Sequence, residues 1–124
     1  MAEQDESLRQ RFLQAVRDLV FVGFHSQVVA LHRDTGEMVW DWKCPEGTSE
    51  YVALLLDGDR LIVSVHGYTY CLNALNGEQI WANPLRGYGI GVPSLVSVNG
   101  TSGLSGAAAE VLAEAARAAA AAGS

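Results

Sequence analysis

Cysteine is scarce in this chain: Cys44 and Cys71 stand alone, with neither C-x-x-C nor metal-ligand spacing. That excludes a disulfide framework and a cysteine-built zinc site. Basic residues are outnumbered, 8 against 14 acidic ones, for a net charge of −6. Such a balance argues against nucleic acid or an anionic membrane as partner. No apolar run approaches the ~18 residues that a membrane-spanning helix needs. The opening stretch MAEQDESLRQRF is polar and acidic, the reverse of a secretory signal, so a cytoplasmic location is expected. The sequon Asn99-Gly100-Thr101 is then idle. No Ser/His/Asp or Cys/His arrangement stands out, and Lys43 is the one activating neighbour that Cys44 has in sequence. No catalytic residue, cofactor or metal is expected.

What the chain does have is a repeat. Val20–Trp40 and Leu61–Trp81 align without a gap at an offset of 41 residues. Val22/Val63, His25/His66, Leu31/Leu72, Gly36/Gly77, Glu37/Glu78 and Trp40/Trp81 are identical, six positions of 21. Many other pairs are apolar against apolar. A period of about 40 residues made of short strands is the mark of propeller blades. Two copies are too few to close a propeller.

Residues 5–18 read as a helix, with Ser7 and Gln10 as a capping box and Leu8, Phe12, Ala15, Val16 and Leu19 as its apolar stripe. Strands are expected at Leu19–Phe24, Gln27–Leu31 and Glu37–Trp42, then at Tyr51–Leu56, Leu61–Val65, Tyr68–Leu72 and Gln79–Ala82. Asp57-Gly58-Asp59 is a hairpin signal, and Gly36 and Gly77 supply turns. Val92–Val98 reads as one further strand. Thr101–Gly106 reads as a Gly/Ser linker, and Ala107–Ala122 as an alanine-rich helix. The division is therefore 1–18 helix, 19–100 two repeats (19–59 and 60–100), and 101–124 linker and helix.

Each repeat carries A-x-x-x-x-x-G-x-x-x-W: Ala30, Gly36 and Trp40, then Cys71, Gly77 and Trp81, with Cys in the place of Ala. This resembles the tryptophan-docking motif of the pyrroloquinoline-quinone-like β-propeller repeats, over residues 19–98. The resemblance implies four-stranded antiparallel blades lettered A to D outwards, whose outer-strand Trp packs on the small residue and Gly of the neighbouring blade. The usual acidic residue two after the Ala is replaced by His32 and Asn73. On that scheme residues 19–42 are strands B, C and D of a first blade. Tyr51–Ala82 is a complete second blade, and Val92–Val98 is the A strand of a third. Asn99-Gly100 matches Asp57-Gly58, and the residues required next look like Asp18-Leu19-Val20.

The expectation is a mainly β fold with helical ends that becomes a full propeller through head-to-tail strand exchange between copies. Two blades per chain give an even blade number, eight from four chains or six from three; the family resemblance favours eight. Seven is excluded for equivalent chains. The function expected is a non-enzymatic scaffold or interaction module whose partner is itself. The alternative is a ligand-binding or quinoprotein-like enzyme with a site at the channel mouth; a third reading is a piece of a longer propeller. Quinoprotein enzymes of this fold use a vicinal disulfide and clustered acids, which this sequence lacks.

His25 and His66 are tempting as a repeated metal ligand, but they fall at turns a blade apart and read as turn residues. Gly87-Tyr88-Gly89-Ile90-Gly91 holds a GxGxG string, yet it precedes Pro93 and a strand where a dinucleotide site needs a helix. Loops on that side surround a propeller's channel mouth. Glu46, Glu50, Arg86 and Tyr88 are therefore the candidates for contact with a protein or small ligand.

Overall fold

The computed structural model describes residues 2–46, 51–89 and 93–104, together with Glu114 and Arg117. Its order is α1 (Ala2–Arg17), β1 (Leu19–Phe24), β2 (Gln27–His32), β3 (Met38–Lys43), β4 (Val52–Asp57), β5 (Arg60–Val65), β6 (Tyr68–Asn73), β7 (Gln79–Asn83) and β8 (Thr101–Leu104). The fold is mainly β. Strands β1-β2-β3 make one antiparallel sheet, and β7-β6-β5-β4-β8 make a second. Of the alanine-rich segment only Glu114 and Arg117 are described, both helical.

The two repeats adopt the same local structure because they carry the same turn chemistry. β1 and β2 are joined by His25-Ser26, and β5 and β6 by His66-Gly67, all four with positive φ. Two left-handed residues between paired strands define the hairpin whose twist matches the strands. Both repeats then break register at the same place, after Ala30 and after Cys71. The following turns also agree. The Asp34 N–H donates to His32 Nδ1 at 3.2 Å and the Leu75 N–H to Asn73 Oδ1 at 2.9 Å. His32 and Asn73 thus serve one purpose, capping the backbone two residues on. His32 is half-buried in this turn.

The sheets stack face on face. Phe21, Ala30 and Trp40 form a cross-strand row on the first sheet, and this face meets Leu61, Val63, Val65, Tyr70 and Leu72 of the second. Gly23 allows the close approach: a Cβ there would come within 2.8 Å of Val52. Helix α1 contributes the buried Val16, while Leu8 and Phe12 of its expected stripe are exposed.

Two expectations are corrected. The strand expected at Val92–Val98 makes no ladder in its described part; Pro93–Val98 carries no regular hydrogen-bonded structure. A strand forms instead at Thr101–Leu104, inside the segment read as linker, and pairs antiparallel with β4 from Leu56↔Thr101 to Ala53↔Leu104. Small Gly and Ser residues did not prevent it, because the outer edge of β4 offered unpaired backbone groups that a strand satisfies.

Burial differs sharply between equivalent positions. Leu61, Val63 and Val65 are each 1% exposed or less, whereas their counterparts Val20, Val22 and Phe24 are 40–52% exposed. Leu61→Ala is therefore expected to cost about 2–5 kcal/mol, and Val20→Ala only about 0.5 kcal/mol in the lone chain. Urea unfolding of both variants at high dilution checks this.

Candidate functional site

Two places gather the residues that sequence singles out: the seam between the sheets, and a cleft beside the loops.

At the seam the Trp40 indole lies flat on the backbone of Gly77. A Cβ on Gly77 would stand 2.5 Å from the ring, so no larger residue fits without displacing it. The φ of +77° at Gly77 adds a second reason for glycine. Trp40 Nε1 donates to the Ala74 carbonyl at 3.0 Å, which satisfies the indole N–H as the ring is buried. Phe21 flanks the ring with centroids 5.9 Å apart. Ala30 lies across from Trp40 in the ladder and is fully buried. Trp42 adds an edge contact to Tyr70 and donates from Nε1 to Gln79 Oε1 at 3.4 Å. Sequence reasoning passed over Trp42, whose counterpart in the second repeat is Asn83.

The second set of the same residues is built and left open. Trp81 sits across from Cys71, as Trp40 does from Ala30, but is 45% exposed against 8% for Trp40. Gly36 has the same left-handed φ, +75°, with nothing within 4 Å of a Cβ placed on it. Cys71 is a free, buried thiol, its pKa raised by burial; it fills the small-residue position of the motif.

The cleft, of about 650 Å³, lies between the segment after β3 and the far end of the second sheet. It brings together Glu46, Arg86, His66 and Tyr68. Two of the four channel-mouth candidates, Glu46 and Arg86, thus share one cavity. Tyr88 is exposed, and Glu50 lies outside the described residues. Gly87 and Gly89 also line the cleft, both with positive φ. Beneath it the buried Cys44 thiol donates to the Glu46 carbonyl at 3.0 Å and lies 3.3 Å from the Tyr70 hydroxyl. Burial first, then the neighbouring Cys44 and the Glu46 charge, push the Tyr70 phenol well above its ordinary value. Sequence could not show this pair, since Cys44 and Tyr70 belong to different repeats. His25 and His66 sit at turns, and no group of three His, Cys, Asp or Glu side chains among the described residues could hold a metal ion. No helix among them is long and apolar enough to cross a membrane.

No protein-family profile matches the chain, and no curated protein matches it.

The seam predicts an asymmetry between two identical substitutions. Both Gly77→Ala and Gly36→Ala impose a left-handed alanine, but only the first collides with an indole. Gly77→Ala should destabilise the lone chain by about 1–3 kcal/mol more than Gly36→Ala, read by denaturant titration. A second expectation concerns alkali. A phenol whose pKa is raised by folding favours the native state fully below its unfolded value of 10.0, and that contribution is lost as pH rises beyond it. Tyr70 should therefore titrate together with unfolding. Tyr70→Phe should flatten the fall in stability above pH 10.0, measured by tyrosinate absorbance and circular dichroism in parallel.

Proposed function

We propose that the chain is a non-enzymatic scaffold that assembles head to tail with copies of itself into a closed β-propeller, each sheet with its repeat acting as one blade. The observation that carries this reading is the docked Trp40–Gly77 pair beside the vacant Trp81 and Gly36. A contact made once inside the chain has both of its halves exposed at opposite ends. One copy's Trp81 on the next copy's Gly36 repeats it, with the Arg33 carbonyl in the place of the Ala74 carbonyl. The exposed Val20, Val22 and Phe24 would be covered by the same step. Burial at ~25 cal/mol per Å² makes three large apolar side chains and an indole a substantial drive for association.

The contact joins unlike surfaces, so it propagates until a rotation closes it. Two repeats per chain give an even number of blades. Likeness of the A-x-x-x-x-x-G-x-x-x-W segments to the pyrroloquinoline-quinone-like propellers favours eight, hence four chains. The loop-side cleft holding Glu46 and Arg86 would then recur around the mouth of the channel, a repeated surface for a protein or small ligand.

Native mass spectrometry tests the reading. Four times the chain mass of 13.2 kDa is expected, and three times would support a six-bladed ring. Trp81→Ala, which removes a half-exposed ring and little of the lone chain's core, should return the mass to a single chain. A single-chain mass for the unmodified protein at high micromolar concentration would sink the proposal, as would an oligomer indifferent to Trp81→Ala.

A further inference from the structure

We infer that residues 93–98 of one copy form the missing fourth strand of the next copy's β1-β2-β3 sheet, paired to β1 in the register Leu95↔Val22. This rests on the head-to-tail reading and specifies how its sheets are completed.

Three observations carry it. First, β1 is the repeat counterpart of β5. The edge of β5 away from β6 is taken by β4, while the same edge of β1 is open among the described residues. Second, the segment equivalent to β4 at the 41-residue offset is 93–98, which is unpaired. Its burial alternates with the period of a strand: Pro93, Leu95 and Ser97 are half-buried, and Ser94, Val96 and Val98 are exposed, the last two at 91% and 99%. A strand-like segment with free backbone groups and an outward row of valines needs a partner edge. Third, the segment ends in the required place. Gly100 rests on Leu55, where a Cβ would come within 2.6 Å of Leu55 Cδ1. Leu55 lies in one ladder row with Ile62, Cys71 and the vacant Trp81. The face that awaits a following sheet therefore already holds the end of the segment. Its seat in the lone chain is incomplete, since Ser97 Oγ is buried there with no hydrogen-bond partner.

Register follows from which residues face inward. In β4, Val52 and Leu54 face the preceding sheet, where they meet Gly23. In 93–98 the inward residues are Pro93, Leu95 and Ser97. These correspond to Val52, Leu54 and Leu56 at the offset of 41 that relates the rest of the repeats. Leu54 pairs with Val63, the counterpart of Val22, so Leu95 pairs with Val22; by the same rule Ser97 pairs with Val20 and Pro93 with Phe24. Pro93 then falls at the strand's first residue, where its missing N–H is tolerated. The turn match of Asn99-Gly100 to Asp57-Gly58 sets the pairing one residue away. A slip of one turns every side chain to the other face, and the burial alternation rejects it. β8 can keep its place on β4 throughout, because donation uses the segment before it.

Disulfide trapping in the full chain tests both partner and register. Cys44 and Cys71 are buried, and opposed residues on paired strands lie within disulfide reach. The double variant Val22→Cys/Leu95→Cys, oxidised mildly, should give covalent multiples of the chain mass on a denaturing gel. Val22→Cys/Val96→Cys, the slipped pairing, should give at least tenfold less. Mixing the two single variants Val22→Cys and Leu95→Cys should give only dimers, which shows that the link runs between copies. Preferential linking by the Val96 variant overturns the register. An intact oligomer by native mass with no linking by either pair overturns strand donation while leaving head-to-tail docking standing. A single-chain mass for the unlinked protein removes the reading on which both rest.

Discussion

The contact on which the rest of the structure depends is a flat indole lying on bare backbone. Two twisted sheets approach each other unevenly, and a gap at their outer strands has to be filled by something large and planar. Trp40 fills it, and it can do so only because Gly77 has no side chain beneath the ring. The indole N–H is carried into the interior by the same packing and finds the Ala74 carbonyl at 3.0 Å. Without that acceptor the burial of the ring would be opposed by an unsatisfied donor, at a cost of about 1–3 kcal/mol. The turn that presents this carbonyl is held by Asn73, and an identical turn is held by His32.

Because the repeat is reproduced in detail, the chain contains every element of that contact twice but can use it once. One copy of each is consumed internally; the other copy faces water. This is what separates Trp81 from Trp40, Gly36 from Gly77, and the Val20, Val22 and Phe24 row from Leu61, Val63 and Val65. An open apolar face at one end and an open indole at the other are costly for a monomer and complementary for a pair of neighbours. Head-to-tail association is the reading that uses both at once.

The cleft has a different standing. It arises where the segment after β3 passes beside the far strands of the second sheet, so it belongs to the junction between repeats. Tyr70 lines it, and the Cys44 thiol is buried against that phenol beneath the cleft. Opposite charges on Glu46 and Arg86 at the rim give the surface polarity without a net sign.

The sequence by itself determined the repeat, its offset, the positions of the seven strands β1–β7 and the tight turns that join the paired ones. Those features are local: alternation, Asx and glycine turn chemistry, and paired left-handed residues act within a few positions. It also marked Trp40 and Gly77 as members of one motif. What it could not decide was which of two equal tryptophans would be covered, because identical residues differ only in what lies next to them in space. Nor could it place β8, since Thr101–Leu104 has the composition of a linker and becomes a strand through the free edge of β4. The Cys44–Tyr70 pair and the meeting of Glu46 with Arg86 were equally invisible, each joining residues from different repeats. Register at 93–98 was the narrowest case. The turn residues favoured one alignment and the inward row of Pro93, Leu95 and Ser97 another, and only burial against the folded sheet separates alternatives that differ by a single residue.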